Sequence, residues 1–286
     1  MSTNTCIIVC GPTAVGKTDY GIQLAEEYKT EIISADSRQC FRELNIGVAR
    51  PSAEQLKKIH HYFINTHSIH EEVNAKIFEE YALNAVHTIF QKNETAVMVG
   101  GTGLYIKAFA EGLDAIPEVR EDIRKEINEL YLLNGYDWLY TELKNRDPVF
   151  FAKGEIKNPQ RMLRALEVKL STGTSILNFH SKQKAKRKFN IKFRLLQLSR
   201  EELYKNINNR VDVMIENGLL KEAEVLYPYK HLNSLQTVGY KELFEYFDGN
   251  YSLEKAVDQI KKNSRHYAKR QMTWFRKNLE NIKQEY

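Results

Sequence analysis

The stretch Cys6 to Thr18 reads CIIVCGPTAVGKT. An apolar run passes straight into Gly11, Pro12, Thr13, Ala14, Val15, Gly16, Lys17 and Thr18, which match G-x-x-x-x-G-K-[ST] between a predicted strand and a predicted helix. Glycines let backbone N–H groups turn inward around phosphate oxygens, and the start of the following helix adds its positive end. Lys17 would supply a point charge and the Thr18 hydroxyl a ligand for Mg²⁺. An ordinary glycine-containing strand-to-helix turn needs no Lys-Thr pair. The loop therefore predicts an α/β chain holding a di- or triphosphate, and leaves the reaction open.

A chain of 286 residues suits one large domain or a core with an inserted subdomain. No apolar run reaches the length that crosses a bilayer. The opening MSTNT is polar and leads directly into the first strand, so no secretory leader is expected and the compartment reads as cytoplasmic. Of the three cysteines, Cys6 and Cys10 fall in or beside the first strand and read as small core residues. The eight histidines do not join the cysteines at zinc-finger spacing. The net charge of +5 is unevenly spread. Lys255 to Tyr286 holds nine Lys or Arg against three Asp or Glu, a net of +6, leaving −1 for everything before it.

Along the chain, Asp19 to Tyr28 has helical spacing and Glu31 to Ala35 reads as a second strand ending at Asp36-Ser37-Arg38-Gln39. Functional residues of open parallel sheets collect beyond the strand carboxyl ends, which places Asp36 on the P-loop edge, although such an Asp can equally cap the next segment. His60 to Asn65 is a third short strand and Phe78 to Phe90 an amphipathic helix. Thr95 to Val99 runs into Gly100-Gly101-Thr102-Gly103, a second glycine turn able to bring backbone and the Thr102 hydroxyl close to a ligand. From about Asp114 to Phe189 the pattern turns helical and charged, with breaks near Gly135 and at Asp147-Pro148; Lys182 to Lys188 reads as a solvated basic connector. Phe193 to Leu198 reads as a returning strand, and Glu201 to Leu226 as helix interrupted at Asn217-Gly218. Arg210 in that helix either closes over phosphate or lies on the surface. In the last helix, Leu253 to Leu279, Ile260, Tyr267 and Trp274 share one face, with Lys261, Arg265, Lys269 and Arg276 on a neighbouring one. Basic residues beside aromatics suit RNA; an amphipathic surface helix with core aromatics is the plainer reading.

GPTAVGKT, SADSRQ, GGTGLYIKA, NPQRMLRALEV, INNRVDVMIENGLLKE, TVGYKE and YAKRQMTWFRK occur in that order. Together they resemble the tRNA dimethylallyltransferase (tRNA isopentenyltransferase) family, bacterial type, from about Cys6 to Lys277. The resemblance implies a P-loop nucleoside-triphosphate-hydrolase-like core, residues 1–113 and 190–286, with a helical insertion, residues 114–189, that grips the anticodon arm of tRNA. It implies transfer of a dimethylallyl group from dimethylallyl diphosphate, with Mg²⁺, to N6 of the adenosine 3′-adjacent to the anticodon. Gly11 to Thr18 would then hold the donor's diphosphate, with Thr18 also at Mg²⁺. Asp36 would be the base, Thr102 would lie beside the reacting centre, and Arg210 would stabilise the leaving group. By the same resemblance tRNA would meet Asp36, Ser37, Arg38, Gln39 and Thr102 in the core, and Arg124, Gln160, Arg161, Met162, Leu163 and Arg164 in the insertion. Gly239, Tyr240, Lys241, Lys269 and Arg270 complete that set, and a monomer is expected.

Departures from the family pattern are few. Val15 replaces a Ser where backbone matters most, Cys40-Phe41 replaces an aliphatic-Tyr pair and removes a hydroxyl near the nucleotide, and IGVARP puts Val48 where a hydroxyl is usual. The chain ends without the zinc-finger extension of eukaryotic relatives. Two competing enzymes share the loop: an adenylate isopentenyltransferase and a small-metabolite kinase with Asp36 as base. A non-catalytic RNA-binding protein would leave Asp36 and the second glycine turn without a purpose.

Overall fold

The computed structural model describes residues 4–181 and 183–278, so Lys182 and Leu279 fall outside the described residues. These divide into two compact units, one of residues up to 112 and from 186 onward, the other of residues 113–185. The expected boundaries were 113/114 and 189/190.

In the first unit five strands form one all-parallel sheet: β1 (Thr5–Cys10), β2 (Ile32–Ala35), β3 (His61–Tyr62), β4 (Thr95–Gly100) and β5 (Asn190–Leu195), in the order β3-β2-β4-β1-β5. A parallel sheet is covered on both faces, and β1 shows why its residues are nearly all apolar. Ile7 and Val9 pack with Ile22, Leu24 and Ala25 of α1 (Lys17–Glu27). Cys6, Ile8 and Cys10 face the larger core, built on α3 (Ala75–Phe90) and α4 (Gly103–Glu111). Cys6, Cys10 and Cys40 are free and buried.

Two strands differ from their sequence outlines. β3 stops after two residues because Phe63 and Asn65 take positive φ, 61° and 57°, which no strand continues through. β5 starts earlier than its apolar run because it is an edge strand, and Asn190 and Lys192 can stay exposed there. Register sets the site: Cys10 pairs with Gly100, and Gly100 with Ala35. The segments after β1, β4 and β2 therefore leave the sheet side by side.

The remaining core helices are α2 (Ala53–Lys58), capped by a Ser52/Gln55 capping box, and four others numbered below. In the basic connector Arg187 is not solvated. It donates to the Phe109 and Ala108 carbonyls at 2.7 Å each, capping the end of α4, and pairs with Glu79 at 2.5 Å.

The second unit contains α5 (Glu121–Arg146), α6 (Pro148–Lys153) and α7 (Pro159–Thr172). Gly135, at φ 72° and ψ −161°, breaks α5 where the sequence had marked an interruption. Asp147 caps α6 through the Phe150 N–H, and Asn158 caps α7 through the N–H groups of Gln160 and Arg161. Its own core gathers Ile127, Leu139, Leu143, Phe150, Met162 and Leu166.

Back in the first unit, α8 (Arg200–Glu216), α9 (Leu219–Leu226), α10 (Tyr240–Phe247) and α11 (Leu253–Asn278) follow β5. Among the described residues, no helix is long and apolar enough to cross a membrane.

Candidate functional site

The P-loop turns from β1 into α1 with Gly16 as the helix cap at φ 90°, a conformation that a β-carbon disfavours. Lys17 Nζ donates to the Pro12 carbonyl at 2.6 Å, folding the lysine back over the loop. Arg210, from α8, is turned inward, and its Nη1 donates to Thr13 Oγ1 at 3.3 Å. Burial is the main cause that lowers the Lys17 pKa to about 8; Arg210 adds to it, while Asp36 and Cys10 act in the opposite sense. Burial also lowers the Arg210 pKa, with Asp36 opposing. Two desolvated cations at an oxyanion cradle are stabilised by an anion placed between them.

Asp36 follows β2. Its Oδ1 accepts from the N–H groups of Arg38 at 2.8 Å and Gln39 at 3.3 Å, which fixes the carboxylate. Thr102 precedes α4, yet its hydroxyl makes no cap bond to that helix. It accepts instead from the Ser37 N–H at 3.0 Å, while the Thr102 N–H donates to the Ala35 carbonyl at 3.2 Å. Thr102 thus stitches the end of β4 to the end of β2. On α11, desolvation of the Tyr267 phenol, with Asp36 adding and Arg38 and Arg270 opposing, pushes its pKa up to about 12.

Gln271, 7% exposed on α11, joins the two glycine turns. Its Oε1 accepts from the Thr13 N–H at 2.8 Å, and its Nε2 donates to the Gly101 carbonyl at 2.9 Å. A β-carbon on Gly101 would overlap Gln271 Nε2, and one on Gly103 would overlap the Trp274 ring. This turn was expected to bring backbone close to a ligand; Gly100 and Gly101 do line the site cavity, and Gly101 and Gly103 also admit the last helix. Gln271 was missed in the sequence, although a signal existed: it stands in the buried stripe Ala256, Ile260, Ala268, Phe275. A polar residue in such a stripe must find partners.

These groups face one cavity of about 1,110 Å³. Thr13 to Thr18, Asp36, Ser37, Arg38, Gln39, Arg210, Gly239, Lys241 and Arg270 all line it, while Thr102 stands just behind Ser37. Several expected contacts lie elsewhere. Tyr240 is fully buried, with its hydroxyl on Glu222 at 2.5 Å, so its side chain has no surface for RNA. Met162 and Leu163 are likewise taken up by the core of the second unit. In that unit Gln160 and Arg161 are exposed, and Arg124 and Arg164 approach Glu167 at 3.8 and 3.3 Å. Gln39 lines the cavity but its side chain is spent internally: it accepts from Ser34 Oγ and donates to the Val48 and Ala49 carbonyls. Cys40 and Phe41 are buried, so that departure alters the core and takes no hydroxyl from the cavity. Lys269 lies with Pro12, Arg200, Tyr204 and Arg276 around a separate depression of about 220 Å³. Lys261 pairs with Asp212 at 2.6 Å, and Arg265 donates to Asn208 at 2.6 Å while lying over the Tyr204 ring, so neither presents an open charge.

The family profile described as IPP transferase matches residues 39–278. The P-loop precedes that match, but similarity over the longer chain includes it. A tRNA dimethylallyltransferase of Christiangramia forsetii is 48% identical over 97% of this chain and 92% of its own. That of Flavobacterium psychrophilum is 45% identical over 96% and 91%. Among solved structures, the full-length tRNA isopentenylpyrophosphate transferase of Bacillus halodurans superposes with a TM-score of 0.72 at 35% identity, over 99% of this chain and 89% of the other. A eukaryotic dimethylallyltransferase acting on tRNA gives 0.82 at 26% identity, over 98% and 73%. With its P-loop sheet and a likeness that runs along almost its whole length, the chain belongs to the IPP transferase family, as a tRNA dimethylallyltransferase of the bacterial type.

Proposed function

We propose that this chain transfers the dimethylallyl group of dimethylallyl diphosphate to N6 of the adenosine 3′-adjacent to the anticodon of tRNA. One observation carries the reading: the P-loop with Lys17 and Arg210, and the Asp36 carboxylate, open onto the same cavity. The P-loop holds a leaving diphosphate, and an acceptor amine enters beside Asp36.

The exocyclic amine of adenine is a weak nucleophile because its lone pair is delocalised into the ring. As the N6–C1 bond forms and the C1–O bond to diphosphate breaks, Asp36 accepts the N6 proton. Thr102, held by the Ser37 N–H, fixes the backbone of that base. Lys17 and Arg210 meet the charge that grows on the diphosphate, and their desolvated surroundings make them more effective there than in water. The target base reaches the cavity only when unstacked, and Ser37, Arg38, Gly239, Lys241 and Arg270 stand along its lining to receive it.

Mg²⁺ fits this site as a shared ligand. No cluster of three or more His, Cys, Asp or Glu occurs among the described residues, but Mg²⁺ commonly takes one or two protein oxygens plus phosphate and water. The Thr18 hydroxyl lines the cavity beside Lys17, and it would hold the ion against the diphosphate. When bound, the ion neutralises charge on the leaving group. The exposed Gln160 and Arg161 of the second unit, with Lys269 of the first, are the surface contacts to tRNA outside the cavity.

Labelled dimethylallyl diphosphate, Mg²⁺ and unmodified tRNA test the reading together. Label is expected on the adenosine beside the anticodon. Label on free AMP but not tRNA would make the chain a nucleotide enzyme, and ATP turnover without prenyl transfer would make it a kinase.

A further inference from the structure

Glu222 of α9 lies outside the P-loop and outside the residues lining the cavity. Three donors converge on its carboxylate. The Ile46 N–H reaches Oε2 at 2.8 Å, and the Gly47 N–H and the Tyr240 hydroxyl reach Oε1 at 2.9 and 2.5 Å. Only an ionised carboxylate accepts on both oxygens without presenting a donor of its own. The fit is close on the other side as well. A β-carbon on Gly47 would lie 2.6 Å from the Tyr240 Cζ, so this glycine is what lets the loop sit against the ring.

The segment held in this way is not inert. Gly47, Val48 and Ala49 line the reaction cavity, and Ala49 holds a positive φ of 47°. The Val48 and Ala49 carbonyls take both Gln39 amide bonds at 3.2 and 3.0 Å, and the Gln39 N–H in turn donates to Asp36 Oδ1. A hydrogen-bonded route therefore runs from Glu222 through the loop and Gln39 to the base. We infer that Glu222, with Tyr240 as its hydroxyl partner, is a positioning residue: it fixes the loop that holds Gln39 and thereby sets the aim of Asp36. The inference rests on the prenyl-transfer reading above. The P-loop is anchored by a separate set of contacts, from Thr13 to Gln271 and Arg210, which do not pass through this loop.

Glu222→Gln puts an amide NH₂ where a backbone N–H or the phenol must donate, so the loop loses one anchor while side-chain volume is kept. The expected result is a kcat lowered by about 10- to 100-fold with the donor KM nearly unchanged, since a misplacement of about 1 Å is enough for such a loss. Because the effect travels through Gln39, the Glu222→Gln/Gln39→Ala double variant should be hardly slower than the slower single variant. Backbone amide exchange over residues 44–50 should quicken in Glu222→Gln, a readout that needs no turnover. Additive losses in the double variant, unaltered exchange in that segment, or full kcat in Glu222→Gln would each overturn the inference while leaving the function standing. A wild-type protein that moves no prenyl group to tRNA would instead overturn the function, and with it this role. Tyr240→Phe, which removes one of the three donors and keeps the ring, should show the same kcat-selective loss in milder form; a loss confined to KM would count against the proposal.

Discussion

At the scale of single residues the site is built from groups that are uncomfortable without a ligand. Lys17 is desolvated beside a second cation, and its pKa falls to about 8. A lysine is charged below its pKa, so without bound diphosphate Lys17 is mostly cationic at neutral pH and loses its charge as pH rises through about 8. A bound diphosphate raises that pKa again, which confines the effect to binding. The KM for dimethylallyl diphosphate is therefore expected to climb toward about tenfold per unit between roughly pH 8 and 9.5, with kcat at saturation changing far less. A KM flat over that range would show that the lysine is not the group that binds. Asp36 is held differently, by two backbone N–H groups on one oxygen. Asp36→Ala should cut kcat by on the order of 100- to 10,000-fold while the Kd for tRNA stays within a few-fold, measured by single-turnover label transfer and by filter binding. An undiminished rate would take Asp36 out of the reaction. Both residues were legible in the sequence because their chemistry sits in a motif at a strand end.

At the scale of elements, sequence reading found what periodicity and strand-end motifs encode and missed what pairing across the chain encodes. The P-loop, α1, α3, the break at Gly135 and the split between α8 and α9 all carry local signals. The β3 outline failed because positive φ at Phe63 and Asn65 has no compositional mark, and β5 was displaced because an edge strand tolerates polar residues. The glycine turn after β4 was seen, but its seating against a helix some 170 residues later was not, since that pairing leaves no local mark. α11 acts as a bolt: Gln271 joins Thr13 to Gly101, and Trp274 rests on Gly103. Gln271→Leu would leave the Thr13 N–H and the Gly101 carbonyl unpaired, a loss of about 1–3 kcal/mol for each group that stays dry. The variant should melt several degrees lower, yet gain more in Tm than wild type on adding dimethylallyl diphosphate, because a phosphate oxygen can accept from the vacated Thr13 N–H. An equal ligand shift in both proteins would mean that the Thr13 N–H takes no part in holding the donor.

For the molecule as a whole, the charge count and the placement of charge say different things. The +6 of the last stretch suggested one basic face turned toward RNA. In the folded chain the cations of α11 disperse. Lys261 is neutralised by Asp212, Arg265 is turned onto Asn208 and Tyr204, and Arg270 joins the cavity, while Lys269 and Arg276 lie exposed beside Arg200 and Lys255, Lys262 and Lys277 are exposed elsewhere along the helix. A cation already paired within the protein releases no counterion from RNA, so residues of equal formal charge should differ in their salt dependence. Lys269→Ala is expected to weaken tRNA binding and to reduce the slope of log Kd against log salt by about 0.7–0.9, the value for one phosphate contact. Lys261→Ala removes the same formal charge and should leave the slope where it was. Measured side by side over a salt series, the two variants separate placement from net charge. Equal slopes would mean that tRNA senses the protein's overall field, and an altered slope for Lys261→Ala alone would mean that the Asp212 pair opens when RNA binds.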